Sequence, residues 1–143
     1  MRARSAVQIV AVFAAIVSSL ACGAKTPTEP DPPAPVYELK TSTFSGTVKT
    51  GGTVAFPFTV VNPGNINVSI TELGPVSTLT MGITMGFWDT ITSTCAEQAA
   101  ASSATLNVVY TATPSAPGEY CVGVFDTGNV QVSSDFTLKV TYY

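Results

Sequence analysis

Residues 79–88 read Leu79-Thr80-Met81-Gly82-Ile83-Thr84-Met85-Gly86-Phe87-Trp88. Large apolar side chains at 79, 81, 83, 85 and 87 alternate with Thr80, Gly82, Thr84, Gly86 and Trp88. In an extended chain a repeat of two sends the first set to one side and the second set to the other. The stretch therefore predicts a half-buried β-strand. Its second side is unusual, with two glycines where most strands carry polar side chains and an aromatic ring at one end.

The same period continues outward in both directions. Val54, Phe56, Phe58 and Val60 alternate with Ala55, Pro57 and Thr59, and Ile66, Val68 and Ile70 with Asn67 and Ser69. Downstream come Leu106, Val108 and Tyr110; then Tyr120, Val122 and Val124; then Phe136, Leu138, Val140 and Tyr142. A further strand is predicted between Tyr37 and Val48. Turn signals separate the runs: Gly51-Gly52, Asn62-Pro63-Gly64, Pro114 to Gly118, and Gly128-Asn129. Seven or eight short antiparallel strands with regular turns predict an all-β sandwich over residues 36–143. Only Thr94 to Ser103, around Ala96-Glu97-Gln98-Ala99-Ala100-Ala101, reads as a helical turn. Pro57 lacks a backbone donor, so its strand is expected at a sheet edge or at a bulge.

Two strands then suggest a site. Gly82, Gly86 and Trp88 share one side of their strand, and Cys121, Gly123 and Phe125 share one side of theirs. If the strands are neighbours, Gly86 and Gly123 make a flat floor with Trp88 and Phe125 at its rim. Aromatic rings beside such a floor can stack on sugars. The competing expectation, which the glycines favour, is that segment 91–103 covers this face. Cys95 and Cys121 are the expected disulfide pair. The bond would close a loop of about 25 residues, worth roughly 3.5 kcal/mol on the chain-entropy model. Two free thiols are the alternative, with no histidine to activate them.

From about Phe44 to Tyr142 the chain resembles the bacterial pre-peptidase C-terminal domain. The resemblance runs through Ser45-Gly46, Gly51-Gly52, the strand Val54 to Val60, and Gly64-Asn65-Ile66-Asn67-Val68. Gly118-Glu119-Tyr120-Cys121-Val122-Gly123-Val124 looks like that family's Gly-x-Tyr strand, and Phe136 to Val140 like its closing strand. The resemblance implies a jelly-roll-like sandwich serving as a non-catalytic accessory. The family often has acidic residues leading into the middle strand; here Leu79 to Thr84 contains none, and the first is Asp89. That departure speaks against a calcium role. An immunoglobulin-like sandwich is the alternative fold.

Residues 1–22 carry the parts of a secretory signal. Met1-Arg2-Ala3-Arg4-Ser5 is a positive start, and Ala6 to Val17 is an apolar run broken only by Gln8. The run is shorter than the about 20 apolar residues a membrane span needs. Ser19-Leu20-Ala21-Cys22 resembles the lipobox of bacterial lipoproteins, although its Leu sits two residues before the cysteine rather than three. The resemblance implies removal of 1–21 and lipidation of Cys22, with Gly23 after it favouring the outer membrane. An ordinary cleavage site beside an incidental cysteine is the alternative. Pairing of Cys95 with Cys121 would leave Cys22 as the odd thiol, which in an exported protein needs a role. Gly23 to Pro35 holds five prolines in thirteen residues. It is expected to be an extended spacer of up to roughly 40 Å at about 3.1 Å per residue.

The chemistry that is missing narrows the function. There is no histidine, so Ser-His-Asp and Cys-His catalysis are excluded, as are the common zinc sites. Glu72, Asp89, Glu97, Glu119, Asp126 and Asp135 fall near turns and strand ends, where solvated carboxylates belong. Asp126-Thr127-Gly128-Asn129 reads as a hairpin turn rather than a cation loop. Without Arg2 and Arg4, four lysines face nine acids, a net charge of −5. Phosphate neutralisation needs clustered cations, so nucleic-acid binding is not expected. No catalytic residue, metal or cofactor is expected. The sequence thus predicts an envelope lipoprotein that displays a non-catalytic binding module for a glycan or protein. A structural envelope component that assembles with itself or its neighbours is the second reading.

Overall fold

The computed structural model describes residues 33–143 of the chain. The signal segment, the lipobox with Cys22, and the spacer up to residue 32 lie outside the described residues. Pro33 to Leu39 are exposed and carry no regular structure. Eight strands follow: β1 (Lys40–Val48), β2 (Thr53–Val60), β3 (Ile66–Gly74), β4 (Met81–Asp89), β5 (Thr94–Ala104), β6 (Val109–Ala112), β7 (Gly118–Phe125) and β8 (Ser134–Tyr142).

The strands form two four-stranded antiparallel sheets. Sheet I has the order β1-β8-β3-β6 and sheet II the order β2-β7-β4-β5. This is an eight-stranded jelly roll, as the resemblance implies. The immunoglobulin order, in which the first two strands share a sheet, does not occur. The core lies between the sheets. Val68, Ile70, Leu138 and Val140 of sheet I face Val60, Ile83, Val122 and Val124 of sheet II, all buried. Phe44 stacks on Phe56 with ring centroids 5.1 Å apart, and Phe56 meets Phe136 edge-on at 6.1 Å. These rings, on β1, β2 and β8, close one side of the sandwich.

Most of the expected alternation is present. β8 is buried at Phe136, Leu138, Val140 and Tyr142 and more open between them. β2 is an edge strand, as Pro57 requires. Four expectations are corrected. Thr94 to Ser103 is not helical; it lies within β5, the longest strand, which pairs with β4 along its length. Alanine's helix propensity is a weak prior, and pairing to a neighbour overrides it. The run Leu106-Val108-Tyr110 is broken at Asn107, which takes a left-handed φ of 64°. Leu106 makes an isolated bridge to Ile70, Val108 is exposed, and β6 starts at Val109. Phe87, placed by period with the core, is 47% exposed. Residues 126–129 do not form a hairpin, because β7 and β8 belong to different sheets.

Candidate functional site

β4 and β7 are neighbours in the register the site needs: Gly82 opposite Phe125, Thr84 opposite Gly123, Gly86 opposite Cys121. Their outward side chains therefore share the outer face of sheet II. The disulfide forms between Cys95 on β5 and Cys121 on β7. β4 lies between those two strands. Two strand spacings would set the cysteines about 9.6 Å apart, yet their Cα atoms are 5.7 Å apart. The start of β5 must therefore fold over β4. The register shift between Met85 and Gly86, which leaves Gln98 without an opposite residue, lets it bend.

Gly86 is what β5 folds onto. A Cβ there would overlap the Ala96 carbonyl oxygen, so only glycine admits the β5 backbone. Phe125 does the same beside it, its ring lying on Gly82 where a Cβ would overlap it. Gly123 is capped by Thr84, whose Cγ2 would stand 2.7 Å from an added Cβ. The glycines are thus filled seats rather than an open floor. The expected cover is present over Gly86, but it comes from one end of a paired strand, not from a separate lid.

What stays open is a groove of about 530 Å³ beside this cover. Trp88 and Phe125 line it, with Thr53 and Ala55 from β2, Thr84 from β4, and Ser93, Thr94, Cys95 and Glu97 from the β5 side. Trp88 and Phe125 are each half-buried. Thr84 Oγ1 donates to Glu97 Oε2 at 3.1 Å, tying the overhanging strand to the groove wall. Of the four expected site residues, Trp88 and Phe125 line the groove; Gly86 and Gly123 lie beneath other groups. Sequence reasoning missed Glu97, Thr53 and Ser93. Only the pairing of β5 with β4 brings Glu97 here, and that segment reads as helical in isolation.

Neither protein-family models nor curated proteins match this chain.

The remaining carboxylates are occupied or on other surfaces. Asp126 Oδ2 accepts from the Gly51 N–H at 2.8 Å, and Oδ1 accepts from Gly128, Asn129 and Val130. The Gly51 and Val130 bonds lead in holding this carboxyl below its ordinary value. These bonds fasten the β7–β8 connection to the β1–β2 turn. Asp89 is lowered likewise, chiefly by Thr92 and then by the Ile91 N–H. Glu119 accepts from Thr59 on β2. Glu72 and Asp135 lie on the outer face of sheet I, where Thr137 and Thr47 donate to them. Among the described residues, no three histidine, cysteine, aspartate or glutamate side chains are placed to share a metal ion.

A second cleft, of about 360 Å³, opens where β5 and β6 edge the two sheets. It is lined by Phe87 and Tyr120, whose rings lie 5.0 Å apart, together with Met85, Ile66 and Pro114. Tyr120 fixes the adjoining turn by donating to the Ala116 carbonyl at 2.7 Å. No signal in the sequence points to this cleft, since Phe87 falls in phase with the core.

Proposed function

We propose that this protein is a lipid-anchored envelope protein whose sandwich is a non-catalytic glycan-binding module. The address comes from the sequence: the leader, Cys22 in its lipobox-like setting, and the proline spacer, with the outer membrane as the destination. The resemblance to the pre-peptidase C-terminal domain supports an accessory rather than a catalytic role. A protein ligand is the variant of the same reading.

The groove between Trp88 and Phe125 carries the glycan reading. Each ring can lie against the C–H face of a pyranose, and burial of such faces on aromatic rings is favourable. In the lining of the same groove, Glu97 offers an acceptor, while the hydroxyls of Thr53 and Ser93 can both donate and accept. Among the described residues no lysine or arginine lines the groove, which suits a neutral or amino sugar better than an acidic one.

The test is a glycan array followed by titration of Trp88 fluorescence, a clean probe because the chain has one tryptophan. A sugar should bind and shift that emission, and Trp88→Ala should weaken binding at least tenfold with an unchanged melting temperature. Binding that survives Trp88→Ala, or no binding to any glycan, would sink the glycan reading. The anchor is tested separately, by intact mass of membrane-extracted protein and by Cys22→Ala, which should release the chain from the membrane. The second reading, a self-assembling envelope component, rests on another part of the molecule, the outer edge of β1, with which no strand pairs among the described residues.

A further inference from the structure

Four strands end the two sheets, and three of them are blunted. β2 has Pro57, which cannot donate to a neighbour. β5 is broken by two register shifts and folded over β4. β6 is four residues long. β1 has none of these devices. It runs nine residues, Lys40 to Val48, in unbroken register with β8 on one side. Among the described residues no strand pairs with its other side. Natural proteins rarely leave a long regular edge without proline, bulge or inward charge, because its free N–H and C=O groups template another strand.

The residues of β1 also fit a second copy of themselves. Thr41, Thr43, Ser45 and Thr47 alternate along its exposed side, and Ser42, Phe44, Gly46 and Val48 along the other. Antiparallel pairing centred on Phe44 sets Thr43 opposite Ser45 and Thr41 opposite Thr47. Lys40 then faces Val48, and Lys49 faces Leu39, so no like charges meet. Opposed Thr and Ser side chains are favourable cross-strand pairs. The two Phe44 rings, each half-buried beside Phe56, meet at the two-fold axis.

We propose that β1 is a homodimerisation edge: two copies pair antiparallel through it, joining their four-stranded sheets into one continuous sheet of eight. A contact one strand wide falls below the roughly 1,600 Å² of a standard interface. The dimer is therefore concentration-dependent, and tethering to a membrane surface would favour it.

Sedimentation of the full chain in excess detergent, over a dilution series, tests this. Wild type should pass from monomer to dimer as concentration rises. Thr43→Glu with Ser45→Glu places like charges opposite each other twice across the axis, and Thr43→Lys with Ser45→Lys does the same. Each double variant alone should raise the dissociation constant roughly tenfold or more. Mixed together, they should form a heterodimer at least as tight as wild type, because every Glu then faces a Lys. Circular dichroism and Trp88 emission should match wild type, as both positions are exposed. A wild-type chain that stays monomeric to its solubility limit would overturn the proposal. So would double variants that dimerise as wild type does, or a mixture that shows no heterodimer.

Discussion

On sheet I, Asp135, Thr137, Lys139 and Thr141 of β8 reach solvent to varying degrees while the residues between them are buried. On sheet II, every residue of β4 from Met81 to Gly86 and of β7 from Tyr120 to Val124 is buried. Both sheets have four strands and both face the same core, so topology does not separate them. The difference is side-chain size on the outer face. Sheet I carries hydroxyls and charges that bond to each other, as in the chain of hydrogen bonds from Ser45 through Thr137 to Glu72. Sheet II carries Gly82, Gly86 and Gly123, and the protein lays its own groups into those gaps: the Phe125 ring, the Ala96 backbone and the Thr84 methyl. The outer face of sheet II is thus a second packed layer, held by the disulfide, and its remaining gap is the groove.

This contrast can be broken most severely at the disulfide. Replacing Cys95 and Cys121 together with Ala should cost about 3.5 kcal/mol, read from urea unfolding. It should also move Trp88 emission to the red as β5 lifts. An unchanged emission would mean that β5 stays folded over β4 without the bond. Next in size, Gly86→Val should cost about 3 kcal/mol, since the obstacle is backbone and cannot rotate away. The obstacle at Gly82 is a side chain, so Gly82→Ala should cost less, about 1–2 kcal/mol. Adding Phe125→Ala should recover part of that loss, giving a non-additive double-mutant cycle.

A matched pair sharpens the comparison further. Thr84 and Thr137 both face outward and both donate to a glutamate. Thr84→Ala should cost about 1–2 kcal/mol, because its methyl fills the seat at Gly123 and its bond is part-buried. Thr137→Ala should stay within about 0.5 kcal/mol. Equal costs would erase the distinction between the faces.

The smallest effect is acid sensitivity. Asp126 and Asp89 titrate below their ordinary value of 3.8 in the folded protein. Their contribution to stability is therefore complete above that value and is lost as pH falls through the lower folded one. Asp126→Asn should flatten this acid limb in a pH series of melting temperatures, because an amide does not titrate in that range.

How much of this was legible in the sequence depends on how local the cause is. β2, β3, β7 and β8 alternate cleanly because each has one wet or small face, and a period of two records that directly. β5 does not, since Ala99 to Ala101 say nothing about which partner will claim them. The outward companionship of Trp88 and Phe125 could be read from parity once β4 and β7 were supposed adjacent. The seating of Gly86 under Ala96 could not, because it needs the bend at Gln98 and the pull of a cysteine 26 residues away. Asn107 gave only a weak hint: asparagine tolerates left-handed backbone, but it does so in many places that remain extended.

β8 holds the middle of sheet I, with β1 on one flank and β3 on the other. As the chain emerges from a ribosome, β1 therefore has no pairing partner among the described residues until residues 134–142 arrive. Until then neither of its sides is paired by a described strand, where the folded chain pairs one. Protection of the nascent chain over that interval falls to whatever binds extended polypeptide, and a chain truncated before Ser134 should aggregate instead of folding partially.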